Sequence, residues 1–371
     1  MRFHHIGFIG LGLIGGSIAR AIRKFYPDMP ITAFDANPDN LTQSLSEGVI
    51  TTACNRTEDG FAPAFASCDL VFLCTPVDYN NTYLAQLADV LQPGAILTDV
   101  GSVKSPIHET ALQLGLTDRF IGGHPMAGSE KSGYRHSSDH LIENAYYILT
   151  PEADVPRDVV ADMEQLVASL GAIPLTVKAE EHDHIVAAVS HLPHLIAAGL
   201  VNVVHDSDSS DEKMKTIAAG GFKDITRIAS SSPVMWQQIC ALNGGPIEEM
   251  LDRYIQYMTD IRKMIHEHNE QGIYDLFEAS RDYRDSIPGT SAGPIKKAFA
   301  LYCDIIDEAG GIAAIATILA ANRISIKNIG IIHNRSFEEG VLRIEMCIRD
   351  SPGCVPDFCP GSHGAALRHA L

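Results

Sequence analysis

Positive charge is what this chain has least of. Lys and Arg total 28 against 46 Asp and Glu, a net charge of -18 with histidine neutral. Phosphate neutralisation along a nucleic acid needs clustered Lys and Arg, so that partner class is excluded, while a small anionic substrate met by a few local groups is not. CxxC pairs are absent too. The eight cysteines are scattered at 54, 68, 74, 240, 303, 347, 354 and 359, which offers neither a zinc ribbon nor a thioredoxin-like site. By this reading no apolar run reaches the roughly 18 residues of a membrane span, so no membrane is expected. No signal peptide precedes "MRFHHIGFIGLG", which enters a folded pattern directly. A reducing cytoplasm is the expected location. At 46% hydrophobic and 20% charged, the composition is that of a globular protein, and 371 residues allow two or three domains.

The first half alternates strands and helices. "HIGFIGL" is a short apolar run, and "GGSIARAIRKFY" then has helical spacing with Ile14, Ile18 and Ile22 on one face. "ITAFD", "CDLVFLCTP", "AILTDVG", "AYYILTP" and "IPLTV" read as further strands. The pattern predicts an α/β fold, a Rossmann-type parallel sheet covered by helices, over residues 1–178. From 179 to 290 the periodicity is helical throughout, as in an all-helical domain whose amphipathic helices can bury a dimer face. "DSIPGTSAGP" is a linker. Residues 298–345 read as a small α+β module, and 346–371 as an atypical tail with no periodicity.

Gly10-x-Gly12-x-x-Gly15 stands directly between a strand and a helix. In that position Gly10 permits the turn, Gly12 lets a pyrophosphate approach the backbone, and Gly15 lets helix and strand pack closely. The loop Gly10, Leu11, Gly12, Leu13, Ile14 and Gly15 is the expected dinucleotide cradle, at a helix N-terminus that favours anions. The alternative is a flexible turn. Asp35 closes the second strand, where a carboxylate accepts ribose hydroxyls and repels a 2′-phosphate, so NAD is expected over NADP. Thr75 and Pro76, at the end of a later strand, are expected to contact the cofactor.

Hydride transfer also needs a group to handle a hydroxyl proton. His124, in "IGGHPMAGSEKSG", follows an apolar stretch at a strand end, with Glu130 nearby. It reads either as that group or as a surface-loop histidine. Ser102 in "DVGSVKSP" could hydrogen-bond a substrate hydroxyl or the nicotinamide side, and Ser105 ahead of Pro106 reads as a helix N-cap. In "SHLPH", His191 and His194 share a helical region, and no carboxylate is spaced to complete a metal site, so no metal is expected. "GGFKDITRIASSSPVMW" carries Lys223, Asp224, Arg227 and Trp236. Arg227 presents a fork suited to a carboxylate, and Asp224 could orient it on a helix. The alternative is a surface ion pair with a core tryptophan.

Five of these stretches together, "GFIGLGLIGGS", "DVGSVKS", "GGHPMAGSEKSG", "SHLPH" and "GGFKDITRIASSSPVMW", resemble the prephenate dehydrogenases of bacterial tyrosine biosynthesis, in matching order from about residue 5 to 290. The resemblance implies a Rossmann domain, a helical dimerisation domain, a homodimer, and oxidative decarboxylation of prephenate to 4-hydroxyphenylpyruvate with NAD or NADP, of which Asp35 favours NAD. It implies that His124 hydrogen-bonds the substrate's ring hydroxyl, that Ser102 positions that hydroxyl and the histidine, and that Arg227 binds a substrate carboxylate. His194 becomes a second active-site histidine and Glu130 an acidic gate, while Lys223, Asp224 and Trp236 shape or support the pocket. Residues 298–345 resemble an ACT domain, a βαββαβ ligand-sensing module, which implies a tyrosine effector. The match stops near Glu345, short of the second helix and last strand. The rival readings are an arogenate dehydrogenase, a β-hydroxyacid dehydrogenase, and a non-catalytic NAD-binding sensor.

Overall fold

The computed structural model describes residues 2–54, 61–128, 131–287, 299–306, 310–322, 324–332 and 339–347. Glu130 lies outside them. The chain forms two compact units, Met1–Pro294 and Ile295–Leu371.

The larger unit begins β1 (Ile6–Ile9), α1 (Leu13–Phe25), β2 (Ile31–Phe34), α2 (Pro38–Ser46), β3 (Thr52–Cys54), β4 (Leu70–Leu73), α3 (Val77–Ala88), β5 (Ile96–Asp99), α4 (Ser105–Gln113) and β6 (Phe120–Pro125). After β6 come β7 (Tyr146–Pro151), α5 (Arg157–Ser169) and β8 (Ile173–Thr176). The sheet order is β3-β2-β1-β4-β5-β6-β7-β8. Side chains alternate across it. Ile6, Phe8, Leu70 and Phe72 join the core on one face, while Ile9, Val71 and Leu73 join the core on the other. Burial on both faces is why these strands read as unbroken apolar runs. Phe8 and Phe72 stack across the β1–β4 pair with centroids 5.0 Å apart.

The expected parallel sheet holds through β6 and then changes. β7 runs antiparallel to β6, and β8 runs parallel to β7. The reason is the connection: among its described residues β6 is joined to β7 by turns and a short 3₁₀ helix at Tyr134–His136, not by the helical crossover that parallel pairing needs. β6 therefore pairs on both edges, and His124 sits opposite Ile148 near its carboxyl end.

Helices follow: α6 (Ala179–Val186), a π-helical turn at Ala187–His191, α7 (Leu192–Ser207), α8 (Lys213–Ile217), α9 (Gly220–Thr226), α10 (Pro233–Leu242), α11 (Gly244–His266) and α12 (Glu270–Ser286). The stretch Ala179–Ser207 is one 29-residue helical span, long and apolar enough by length and composition to cross a membrane. The expectation of no such run is corrected here. Its apolar residues are interrupted by histidines and Pro193, which break the run to the eye without adding formal charge. In this fold its buried His182, Asp183 and His191 are hydrogen-bonded to protein groups. Val103, just ahead of α4, inserts into the helical core beside Ala187, Ile239, Ile247 and Met250. Much apolar surface stays exposed on the helical part, including Val203, Ile255, Tyr257, Phe277 and Tyr283.

The smaller unit contains β9 (Phe299–Ile306), α13 (Gly311–Ala321), β10 (Ser325–Ile332) and β11 (Glu339–Cys347), in an antiparallel sheet of order β10-β11-β9. Leu319, Leu342 and Ile344 form its core. β11 continues two residues past the Glu345 limit expected from sequence. The second helix and last strand of an ACT module would fall on residues outside those described.

Candidate active site

The glycine loop is built as its spacing predicts. Gly10 has φ +95°, a conformation L side chains rarely adopt, and its position closes the turn from β1 into α1. A Cβ at Gly15 would collide with the Gly10 carbonyl oxygen and meet Cys74 Cβ at 2.8 Å. A Cβ at Gly12 would meet nothing within 4 Å, so the space over Gly12 is open. No side chain caps α1 and no acidic residue occupies its first turn. Its N-terminal N–H groups therefore remain for an anion. Asp35 also has a structural part. Its Oδ2 takes the Leu11 N–H at 2.6 Å and its Oδ1 the Asn37 N–H at 2.7 Å, tying β2 to the loop. Thr75 lies at the same sheet edge, its hydroxyl donating to Asn80 Oδ1 at 2.6 Å. Pro76 follows it, exposed at the start of α3. The residues present fit a dinucleotide.

At the carboxyl end of β6, His124 Nδ1 lies 2.8 Å from His182 Nε2. His182 Nδ1 in turn lies 2.8 Å from Asp183 Oδ1. The carboxylate can only accept, so His182 donates from Nδ1 and, when neutral, accepts at Nε2. His124 must then donate from Nδ1, which leaves its Nε2 lone pair available. The chain of contacts sets the tautomer of the histidine that sequence singles out. Asp183 is anchored by the backbone N–H of Lys104 at 2.7 Å and of Ser105 at 2.8 Å. This replaces the expected cap. Ser105 lies inside α4, and the carboxylate from α6 satisfies the first N–H groups instead.

The electrostatics keep His124 neutral. Burial, then the neighbouring His182, Lys104 and His191, push it well below its ordinary value against the pull of Asp183. His182 is lowered by burial, opposed by its bond to Asp183. Burial works to raise Asp183, but the bonds from His182 and from the Ser105 and Lys104 N–H groups hold it below the usual carboxylate range.

Asn243 links this chain to the helical side. Its Nδ2 donates to the Asp183 carbonyl at 2.9 Å and lies 3.0 Å from His191 Nδ1. Burial lowers His191 to about 4. Trp236 meets His191 edge-on and stacks on His194, with centroids 4.0 Å apart. The Trp236 Nε1–H is buried with no hydrogen-bond partner among the described residues. His191 and His194 thus serve different neighbours, and among the described residues no group of three or more His, Cys, Asp or Glu is placed to hold a metal ion.

Ser102 is half-buried in the turn between β5 and α4. The contact at His124 Nδ1 is made by His182. Arg227, Lys223 and Asp224 are exposed. α9 ends at Thr226 and Arg227, three residues beyond Asp224, opens the 3₁₀ turn that follows directly. That segment packs against α7, the helix bearing His194. Sequence reasoning passed over His182, Asp183, Asn243 and the role of Lys104. The adjacent His-Asp pair in "EEHDH" was the available signal, hidden in what reads as a solvated helix start.

Residues 18–175 match the family model "Prephenate dehydrogenase, nucleotide-binding domain" and residues 178–279 match "Prephenate dehydrogenase, dimerization domain". The chain is 40% identical to the prephenate dehydrogenase of Bacillus subtilis (strain 168), over 90% of each chain. It is similar to the crystal structure of prephenate dehydrogenase from A. aeolicus in complex with hydroxyphenyl propionate and NAD+. That match has a TM-score of 0.72 and 28% identity, covering 78% of this chain and 99% of that one. It is also similar to Synechocystis arogenate dehydrogenase, with a TM-score of 0.69 and 27% identity over 76% of this chain and 100% of that one. On these matches the chain belongs to the prephenate dehydrogenase family.

Proposed function

We propose that this site oxidatively decarboxylates prephenate to 4-hydroxyphenylpyruvate with NAD, and that His124 is the group that handles the ring hydroxyl. The observation that carries this reading is the His124–His182–Asp183 chain, which leaves a neutral Nε2 acceptor at the carboxyl edge of the sheet. Gly10, Leu11, Gly12, Leu13, Ile14 and Gly15 would hold the pyrophosphate, Asp35 the adenosine ribose, and Thr75, Pro76 and Ser102 the nicotinamide side. Bound NAD supplies the hydride acceptor.

His124 Nε2 accepts the hydroxyl hydrogen bond and draws on the proton as hydride leaves the carbinol carbon. The bond to the departing carboxylate then breaks. Its electron pair enters the ring, CO₂ is released, and the ring becomes aromatic, which makes the reaction strongly downhill. His124 returns the proton to the oxygen, now phenolic, so no net proton is consumed by the protein. Asp183 stabilises positive charge developing on the two rings without itself taking the proton. In this reading Arg227 binds a substrate carboxylate, His194 and Trp236 line the pocket, Lys223 and Asp224 support it, and Glu130 guards the mouth.

Residues 1–178 would bind the cofactor and 179–290 would form the substrate and homodimer part, consistent with the exposed apolar side chains there. A tyrosine effector rests on the ACT-like resemblance of 298–345. The arogenate reading differs only in the substrate's amine and is kept because of the similarity to the Synechocystis enzyme. NADH formation with prephenate against arogenate, with and without tyrosine, separates these statements. Faster turnover of arogenate would overturn the substrate assignment.

A further inference from the structure

Lys104 lies behind the site, fully buried. Its ammonium forms a close ion pair with Asp99 and donates to the Gly123 carbonyl at 2.8 Å. Asp99 accepts the Gly123 N–H through Oδ1 at 3.1 Å and the Gly101 N–H through Oδ2 at 2.8 Å. One buried ion pair therefore grips both backbone groups of the residue that precedes His124. The main chain of Lys104 grips the other end. Its N–H anchors Asp183, which orients His182, which orients the His124 ring.

The glycine pair before His124 follows from this arrangement. A Cβ at Gly122 would collide with Thr150 and meet Lys104 Cδ at 3.1 Å. A Cβ at Gly123 would lie 2.5 Å from the Asp99 carbonyl oxygen and 3.1 Å from the Tyr147 ring. Bare backbone at both positions lets β6 lie close against Thr150, His108, the Lys104 stem, the Asp99 carbonyl and Tyr147. A buried ion pair is costly, and well-packed apolar residues often serve stability as well or better. Packing alone is thus a weak reason for this pair.

We propose that Lys104, with Asp99 as its counter-ion, is a positioning residue for His124, fixing the strand beneath the imidazole and placing a fixed cation behind it. The proposal rests on His124 handling the substrate hydroxyl. The charged and titratable groups facing His124 are Lys104 at the start of α4, His182 and Asp183 on α6, and His191 in the π-helical turn. Of these, Lys104 is the ordinary cation; burial lowers its pKa, and the ion pair with Asp99 opposes that lowering. It opposes protonation of the ring and so keeps the acceptor available.

The test compares Lys104→Met, the paired variant Asp99→Asn/Lys104→Met, Asp99→Asn alone and His124→Asn. For each, kcat and KM for prephenate, the acid limb of kcat/KM, the NAD Kd and the unfolding midpoint are measured. Lys104→Met alone strands a buried carboxylate and is expected to fold poorly. The paired variant strands none. It is expected to fold, to bind NAD within about threefold of wild type, and to lose roughly 100-fold in kcat, the scale of a small misplacement of a catalytic group. Its acid limb should move to higher pH. Asp99→Asn alone strands a buried ammonium that burial already draws toward its neutral form, and should lower kcat and the unfolding midpoint together. If the paired variant and Asp99→Asn both retain kcat with unmoved acid limbs, or lose only stability or NAD affinity, the proposal is overturned. If His124→Asn itself turns over at the wild-type rate, the reading of His124 fails instead, whatever the Lys104 variants do.

Discussion

His124 Nδ1 and His182 Nε2 lie 2.8 Å apart, so a ring on β6 takes its tautomer from a histidine 58 residues later, on α6. The carboxylate of Asp183 completes the chain and ties it to the backbone that opens α4. Orientation, protonation state and backbone placement of His124 therefore all come from residues that need not touch substrate.

Asp183→Asn keeps the shape and changes the donor pattern. An amide at that place can donate to His182, which would reverse both ring tautomers and put the hydrogen of His124 on the wrong nitrogen. The expected result is a kcat lower by roughly 10² or more with NAD affinity little changed. Steady-state kinetics alongside an NAD titration checks it. An unchanged kcat would show that the tautomer chain does not matter.

His124, His182 and His191 are all held below their ordinary values, chiefly by burial. A histidine whose folded pKa is lowered binds its proton more readily when unfolded. Its contribution to stability is complete above the unfolded value near 6.5 and is lost as pH falls toward the folded value. For His191 that window runs from about 6.5 to about 4, and about 3 kcal/mol of stability is lost across the whole of it. Urea midpoints should drop steadily from pH 7 to pH 5. The drop should be shallower in His191→Asn. Midpoints independent of pH would contradict the lowered values.

Two glycines of the loop should fail differently. At Gly12 a methyl group has open space, so Gly12→Ala should unfold at the wild-type temperature while NAD binding weakens by roughly tenfold or more. At Gly15 the methyl meets the backbone of Gly10, so Gly15→Ala should lose stability as well. Thermal scans with and without NAD distinguish them. Wild-type NAD affinity in Gly12→Ala would remove the pyrophosphate from that position.

Arg227 is assigned to a substrate carboxylate. Arg227→Gln should raise KM for prephenate by roughly 10- to 100-fold, the worth of a hydrogen bond to a charged group, with a smaller effect on kcat. An unchanged KM would place the carboxylate elsewhere.

Much of this was legible from local pattern. The glycine loop, Asp35 at the end of β2, and His124 at the end of β6 stand where period and turn chemistry place them. Three features were not. The reversal at β7 depends on the connection between two strands that look alike in either direction. The His182–Asp183 partnership crosses from a helix to a strand, and a charged helix start normally faces water. Lys104 reads as one more polar residue after a strand, and only the fold shows it fully buried beneath β6. Each of these is a long-range contact, which single-sequence periodicity does not encode.

The most direct measurement is NADH formation from prephenate by wild type and His124→Asn at saturating NAD. The account predicts wild-type turnover and a loss of roughly 10²- to 10⁴-fold in kcat for the variant, with NAD affinity retained. Near wild-type turnover by a folded, NAD-binding His124→Asn would contradict it.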